Sequence, residues 1–365
     1  MAEKANFTSD LFEPKVFLEM TRAMEPNRGL LLYNSTAKDT TVFPYAEWVQ
    51  KNGRFSELAE YNLPNSKANL IDRQPGGQTP RNAALAYIRE GDYFTPTATL
   101  FIKDIEAGNA AAVKPAEKII AEQVQEVNDR INNRIEWSLW QAVQGELTYT
   151  GKNTGTFTVD YGFRDTHKAT LSSDDQWTGT PTVESLITTI RNAKRTVLKD
   201  GGVDANEVFL TGPTMDLLIS AWTHAAVSDA NRQLLTDTQL NQYYATGEIK
   251  GFMGTETWKT LDQYYDVRNA DGQTVETKSY LPHGTVLFMN RNANKAIRYV
   301  TGPTADLEAP RGHIGRFSKT WFNEDPSGQQ FIVEEMGLPV VDRPDQFMTL
   351  NVASTEWVEQ QSWQN

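Results

Sequence analysis

The chain has 365 residues, of which 39% are hydrophobic and 22% charged, carries no cysteine, and has a formal net charge of -12. That length suffices for one large buried core or two modest ones, and the missing cysteines exclude disulfides, thiolate nucleophiles and thiolate metal sites together. The acidic balance, with no basic run anywhere, argues against a protein whose main task is to grip phosphates, although such a chain is suited to enclosing DNA without adhering to it.

The first residues, MAEKANFTSDLFEPK, are polar and mixed in charge and lack the apolar stretch of a signal peptide. No window approaches the ~18 uninterrupted apolar residues of a membrane span, and the mean hydropathy is -0.53. A soluble chain made and kept in a cytoplasm is expected. Up to about residue 65, the short apolar pieces LFEPKVFLEM, GLLLYN and TVFPYAEWV are separated by Pro26, Gly29, Pro44, Gly53 and Pro64. An extended arm with one or two short helices is predicted there. Between Ala68 and Ile105 the β-rich stretches ALAYIREGDYF and TPTATLFIKDI are read as the two sides of a long polar hairpin, with the Pro75-Gly76-Gly77 stretch as its tip.

The clearest element follows. Ile120, Val124, Val127, Ile131, Ile135, Leu139 and Val143 step by three or four residues, which is the apolar stripe of an amphipathic helix. Pro115 suits its first turn and Gly145 its end, and ~30 residues at ~1.5 Å each give roughly 45 Å. The spacing is helical rather than strictly heptad, and Asn128, Asn132 and Asn133 weaken a coiled-coil reading. Next, ELTYTGKNTGTFTVDYGF alternates Thr, Tyr, Phe and Val around a glycine turn and predicts a hairpin. VESLITTIRNAKRTVLKDGG reads as a second amphipathic helix, with Thr180-Pro181 as cap and first turn and Gly201-Gly202 as its stop. The strand EVFLTG, the helix PTMDLLISAWTHA, a strand at Tyr264–Val267, the turn at residues 269–272 and the strand TVLFMN complete a compact mixed domain. The closing FIVEEMGLPVVDRPDQFMTLNV reads as strand, turn at Arg343-Pro344-Asp345, and strand. LTGPTMDLL and VTGPTADLE look alike, but two matching strand ends do not make a repeat.

Candidate chemistry is sparse. His167, His224, His283 and His313 form no metal-ligand spacing and read as surface or packing residues. There is no GxSxG elbow and no phosphate-binding loop of the GxxxxGK type. The carboxylate pairs Asp174-Asp175 and Glu334-Glu335 are the kind that serve acid/base work or bind a hard cation, but in a chain with 47 acidic residues they read as solvated. Gly76-Gly77-Gln78 matches the catalytic tip of translation release factors, yet those factors need a basic face for ribosomal RNA. No catalytic residue, cofactor or metal ligand is assigned. An enzyme would call for a convergent pocket with perturbed ionisable groups, and a nucleic-acid module for a basic stripe.

The order of elements is more informative. Phe12-Glu13-Pro14, the hairpin GELTYTGKNTGTFTVDYG, the segment SYLPHGTVLFMN and above all the closing RFSKTWFNEDPSGQQFIVEEMGLPVVDRPDQFMTLNVA carry a resemblance over nearly the whole chain. The sequence resembles tailed-phage major capsid proteins of the lambda type, the phage major capsid protein E family, with the α+β Hong Kong 97-like fold. That resemblance implies an N-terminal arm at 1–65, an extended β-hairpin loop at 66–112, a peripheral domain with the spine helix at 113–180, an axial domain at 181–316 and a return to the peripheral domain at 317–353. Residues 354–365 are a tail beyond the family's last strand, where Trp357 and Trp363 either cap a neighbour or pack locally. It further implies a non-enzymatic subunit that self-assembles into hexamers and pentamers of an icosahedral head around double-stranded DNA, which it does not read by sequence. Scaffolding protein and portal would be partners, and either a decoration protein binds the shell or the chain carries its own reinforcement, with assembly in the host cytoplasm and residence in the virion; an encapsulin-like compartment is the alternative. By the same resemblance Gly76 and Gly77 turn the extended loop, and Arg73, Arg81, Arg89 and Glu90 make contacts with the adjacent subunit. Reversing Arg81 and Arg89 is then expected to spare folding and weaken assembly.

Overall fold

A computed structural model describes residues 30–53, 78–94, 100, 104, 113–151, 155–179, 181–228, 237–251, 256–268, 275–290, 296–324 and 327–354. In chain order the first elements are α1 (Leu31–Ser35), β1 (Ala37–Thr40), β2 (Tyr45–Lys51), β3 (Gln78–Ala84), β4 (Ala86–Tyr93) and α2 (Val113–Val143). They are followed by β5 (Glu146–Gly151), β6 (Gly155–Asp160), β7 (Lys168–Thr170), α3 (Val183–Gly201), β8 (Glu207–Leu210), α4 (Gly212–Ser228) and α5 (Asp237–Thr246). The last are β9 (Glu248–Lys250), β10 (Thr257–Thr260), β11 (Tyr264–Arg268), β12 (Val275–Ser279), β13 (Thr285–Met289), β14 (Ile297–Thr301), β15 (Phe317–Glu324), β16 (Ser327–Val341) and β17 (Phe347–Asn351). Two compact units share the chain: Met1–Glu47, Asn82–Leu139 and Arg298–Val340 form one, and Trp48–Arg81, Trp140–Ile297 and Val341–Asn365 the other.

The first unit holds a five-stranded sheet in the order β1-β14-β16-β15, with β4 also on β16. β16 pairs antiparallel with β15 from Ser327 to Glu334 and with β4 from Gln330 to Gly337. This corrects the expected hairpin. Both of its presumed sides, ALAYIREGDYF and TPTATLFIKDI, follow the proline-glycine stretch, and a tip must lie between its strands. Instead β2 and β3 pair with each other, and β4 pairs with β16; most of TPTATLFIKDI lies outside the described residues. Gly91 permits the β4–β16 approach, since a Cβ there would stand 2.5 Å from the Phe331 carbonyl oxygen and 2.6 Å from Ile332 Cγ2.

The stripe predicted for α2 is buried along its whole length, from Ile120 to Val143. Its polar interruptions are used. Asn128 Oδ1 and Asn132 Oδ1 accept from the Arg316 guanidinium at 2.9 and 2.7 Å, and Glu136, with 0% exposure, accepts from the backbone N–H groups of Leu32 and Tyr33. A buried carboxylate on the long helix therefore satisfies the open N–H groups at the start of α1, as a capping side chain would.

In the second unit a six-stranded sheet runs β7-β17-β13-β8-β10-β9. β8 is buried at all four positions, as a central strand must be. Val208 and Leu210 of β8, Val286 and Phe288 of β13 and Met348 and Leu350 of β17 join one core with Leu186, Ile190 and Val197 of α3. Phe209 meets the ring of Trp140 edge-on at 5.7 Å. The cap of α3 is Thr182 rather than Thr180-Pro181: its hydroxyl accepts from Ser185 N at 3.1 Å, which is the amide three residues into the turn. Gly202 ends the helix with φ 69.

Residues 298–316 belong to the first unit with β14, and β17 lies between β7 and β13 in the second, because its apolar side chains complete that core. Of the two TGPT segments, only the first continues as a helix, with Gly212 N held by Asp262 Oδ1 at 2.8 Å. No described helix is long and apolar enough to cross a membrane.

Candidate assembly surfaces

Arg73, Gly76 and Gly77 lie outside the described residues. Arg81, near the start of β3, is half-buried; its Nε donates to Gln50 Oε1 at 2.8 Å and its Nη1 to the Asp160 carbonyl at 3.5 Å. Gly162, at φ 62, leaves room for it, since a Cβ there would collide with the guanidinium. Arg89 on β4 has a side chain 48% exposed, with Nε 3.8 Å from Glu334 and Nη2 4.0 Å from Asp306. Glu90 is exposed and makes no hydrogen bond or ion pair with a described residue. The structure thus gives both described arginines partners in their own chain. A reversal of their charge does not leave folding untouched, because each would set a carboxylate against acceptors already in place.

Glu334 and Glu335 are both buried, which corrects their reading as a solvated pair. Successive strand residues face opposite sides, and each glutamate meets its own arginine: Glu334 lies toward Arg89, Glu335 accepts from Arg316 Nε at 2.8 Å. Glu334 also accepts from the Tyr87 hydroxyl and from Asp306 N. Burial, then the hydrogen bond and charge of Glu334, push the Tyr87 phenol far above its ordinary range. Burial alone would raise Asp306, but the Lys319 ammonium at 2.7 Å, the Glu308 amide and Arg89 outweigh it and hold this carboxyl below the usual carboxylate range. Sequence reading missed Asp306, Tyr87 and Lys319; the alternation of VEEMG with charges at adjacent strand positions was the available signal.

Histidines sit where packing puts them. His167 is fully buried, with Nδ1 2.8 Å from the Phe347 carbonyl and Nε2 3.3 Å from Asp200. His283 and His313 bond to Thr211 and Thr304, and His224 is exposed. Asp175 lies near the first turn of α3, where hydrogen bonds from Ser185 and Ser172 lower its carboxyl. Among the described residues no group of three or more acidic or histidine side chains is arranged to hold a metal ion.

Two surfaces suit association. Among the described residues β4 pairs only with β16, so no described strand covers its other edge, and Tyr87, Glu90 and Tyr93 stand exposed on it, the two tyrosines at 43% and 39% exposure. An unpaired strand edge is a template for another chain. Beside β2, Val42, Phe43 and Tyr45 are exposed, with the two rings stacked at 5.3 Å. Clustered exposed aromatics are costly in water and mark contact sites.

The profile described as phage major capsid protein E matches residues 36–352. No curated protein matches the chain by sequence. Among solved structures the fold is similar to the putative capsid protein of a prophage of E. coli CFT073, at TM-score 0.61 and 14% identity, covering 94% of this chain and 99% of that one. It is also similar to a phage-related protein of Bordetella bronchiseptica RB50, at TM-score 0.54 and 10% identity, covering 94% and 97%. At such identities the likeness concerns the fold. With a family match that spans most of its length, the chain belongs to the phage major capsid protein E family.

Proposed function

We propose that the protein is the structural subunit of a phage head, which assembles with copies of itself into hexamers and pentamers of an icosahedral shell around double-stranded DNA. The family match over residues 36–352 carries this reading. The role is not enzymatic, and its work is done by repeated contacts: many weak interfaces on identical copies sum to a durable particle. The open edge of β4 and the aromatic cluster at Phe43 and Tyr45 are surfaces on which such copies would meet.

In this reading the stretch around Gly76 and Gly77 turns over a neighbouring subunit, with Arg73, Arg81, Arg89 and Glu90 at the contact, while β4 itself stays in its own chain's sheet. Scaffolding protein and portal complete the assembly in the host cytoplasm, with or without a decoration protein on the shell, and the acidic chain tolerates packed DNA without binding its sequence. Sedimentation of purified protein over a concentration series, with and without a scaffolding partner, tests it. Large species that contain DNA-sized internal volume support the reading, and a strictly monomeric chain under both conditions refutes it.

A further inference from the structure

β11 and β12 form a ribbon of two five-residue strands, paired antiparallel from Tyr264↔Ser279 to Arg268↔Val275. Among the described residues neither strand pairs with any other. The first four positions of β12 are exposed, Val275 at 52%, and Tyr264 of β11 is exposed at 47%. The foot of the ribbon is tied to packed structure, where the Tyr265 ring lies 5.2 Å from the buried Tyr280. A two-stranded ribbon with no third strand is marginal in water, and an open strand edge is a template for another strand.

The two edges of the ribbon differ in what they offer a second copy. About a twofold axis a strand pairs antiparallel with its own counterpart, and residues that stand opposite each other lie on the same face of the sheet. For β11 the register that pairs all five residues sets two Asp266 carboxylates against each other, which is unfavourable. For β12 the full-length register is centred on Thr277. It sets each Glu276 opposite the Lys278 of the other copy and threonine opposite threonine, and such pairs stabilise adjacent strands. A shift of the axis by one residue either way keeps the faces matched but sets Glu276 against Glu276 or Lys278 against Lys278, so charge selects a single register. Within one chain Lys278 Nζ and Glu276 Oε2 already stand 3.1 Å apart on this face, with both side chains half-exposed.

We infer that β12 is a contact between two copies of this chain, which join their ribbons into a four-stranded sheet across a twofold axis at Thr277. The inference rests on the reading that copies of this chain assemble, and a closed icosahedral shell contains twofold axes at which such a contact can stand.

The chain has no cysteine, so one introduced residue reports the axis. In the full-length protein Thr277→Cys should give disulfide-linked dimers under mild oxidation, read by non-reducing migration and peptide mass mapping. Val275→Cys, exposed on the same strand, is the control. Its counterpart would stand opposite Ser279, roughly 13 Å along the strand. That exceeds the ~7 Å between Cα atoms that a disulfide can span, so this variant should link about tenfold less. Adding Glu276→Lys or Lys278→Glu to Thr277→Cys should lower linkage about tenfold, and adding both, which exchanges the charges and restores the opposite pairs, should bring it back to within about twofold. Melting should stay unchanged throughout, since these side chains are exposed. Equal linkage at positions 277 and 275, or failure of the double exchange to restore what the single reversals remove, would overturn the inference. Absent linkage would overturn it too: in copies that light scattering shows to associate it leaves the shell reading standing, and in copies that stay single it refutes both. Linked dimers that form no larger species would support the twofold contact and count against the shell.

Discussion

At the scale of single residues, the Glu334 cluster shows how burial and charge set each other's terms. Glu334 has 1% exposure and is matched by Arg89, Tyr87 and the Asp306 amide. Arg89→Glu removes one cation and adds a third carboxylate beside Glu334 and Asp306, and because Arg89 is half-exposed the expected loss is about 1 kcal/mol, read as a lower denaturation midpoint. Glu90→Lys, one position along and without a hydrogen bond or ion pair to a described residue, should stay within about 0.5 kcal/mol of the parent. Asp306 adds a pH signature. Its folded carboxyl titrates below the ordinary value, so its contribution is present above the unfolded value and fades as pH falls through the folded one. Asp306→Asn should therefore narrow the stability gap between neutral and acid solution, with the difference concentrated below about pH 4; an unchanged acid profile would deny Asp306 that role. None of this was legible from residue type alone. Two adjacent glutamates look solvated until strand alternation assigns each to its own arginine.

At the scale of elements, legibility followed how local the determining interactions are. The helix α2 was plain because seven apolar positions repeat at helical spacing, and α3 and the β5–β6 hairpin were plain because their caps and turns lie within a few residues. Strand partners were not, since β4 chooses β16 more than two hundred residues away, and β1 pairs with β14 in register from Ala37↔Arg298 to Thr40↔Thr301. Nothing within AKDT or IRYVT announces that pairing. Two substitutions test the elements. Ile131→Asp would bury an unpaired carboxylate in α2 at a position with 0% exposure, at a cost of several kcal/mol, and soluble folded subunit should be lost. Normally folded but unassembled subunits would instead place Ile131 at a contact between copies. Glu136→Ala should leave α2 intact but deprive Leu32 and Tyr33 of their acceptor, so hydrogen exchange at those two amides should rise sharply while exchange along α2 stays slow. Equal exchange in parent and variant would show that Glu136 does not hold α1.

At the scale of the whole molecule, the order of elements and the closing RFSKTWFNEDPSGQQFIVEEMGLPVVDRPDQFMTLNVA carried a resemblance to one family before any contact was known, and the family match agrees with it. The candidate surfaces were only partly legible: the sequence drew attention to Arg81 and Arg89, which the structure finds engaged within their own chain, and gave no sign of the open β4 edge or of the stacked Phe43 and Tyr45. Exposure of an edge or a ring depends on what the rest of the chain fails to cover, which no short stretch records. A net charge of -12 also sets a condition, because like-charged copies repel most when screening is weakest. Raising salt from about 20 to about 200 mM should promote association of copies, followed by light scattering; association strongest at the lowest salt would mean that specific ion pairs dominate the contacts. The most direct measurement is electron microscopy of the purified protein, alone and together with a scaffolding partner. Closed shells, tubes or rings of six and five subunits are the predicted result, and uniformly dispersed single subunits in both samples would contradict it.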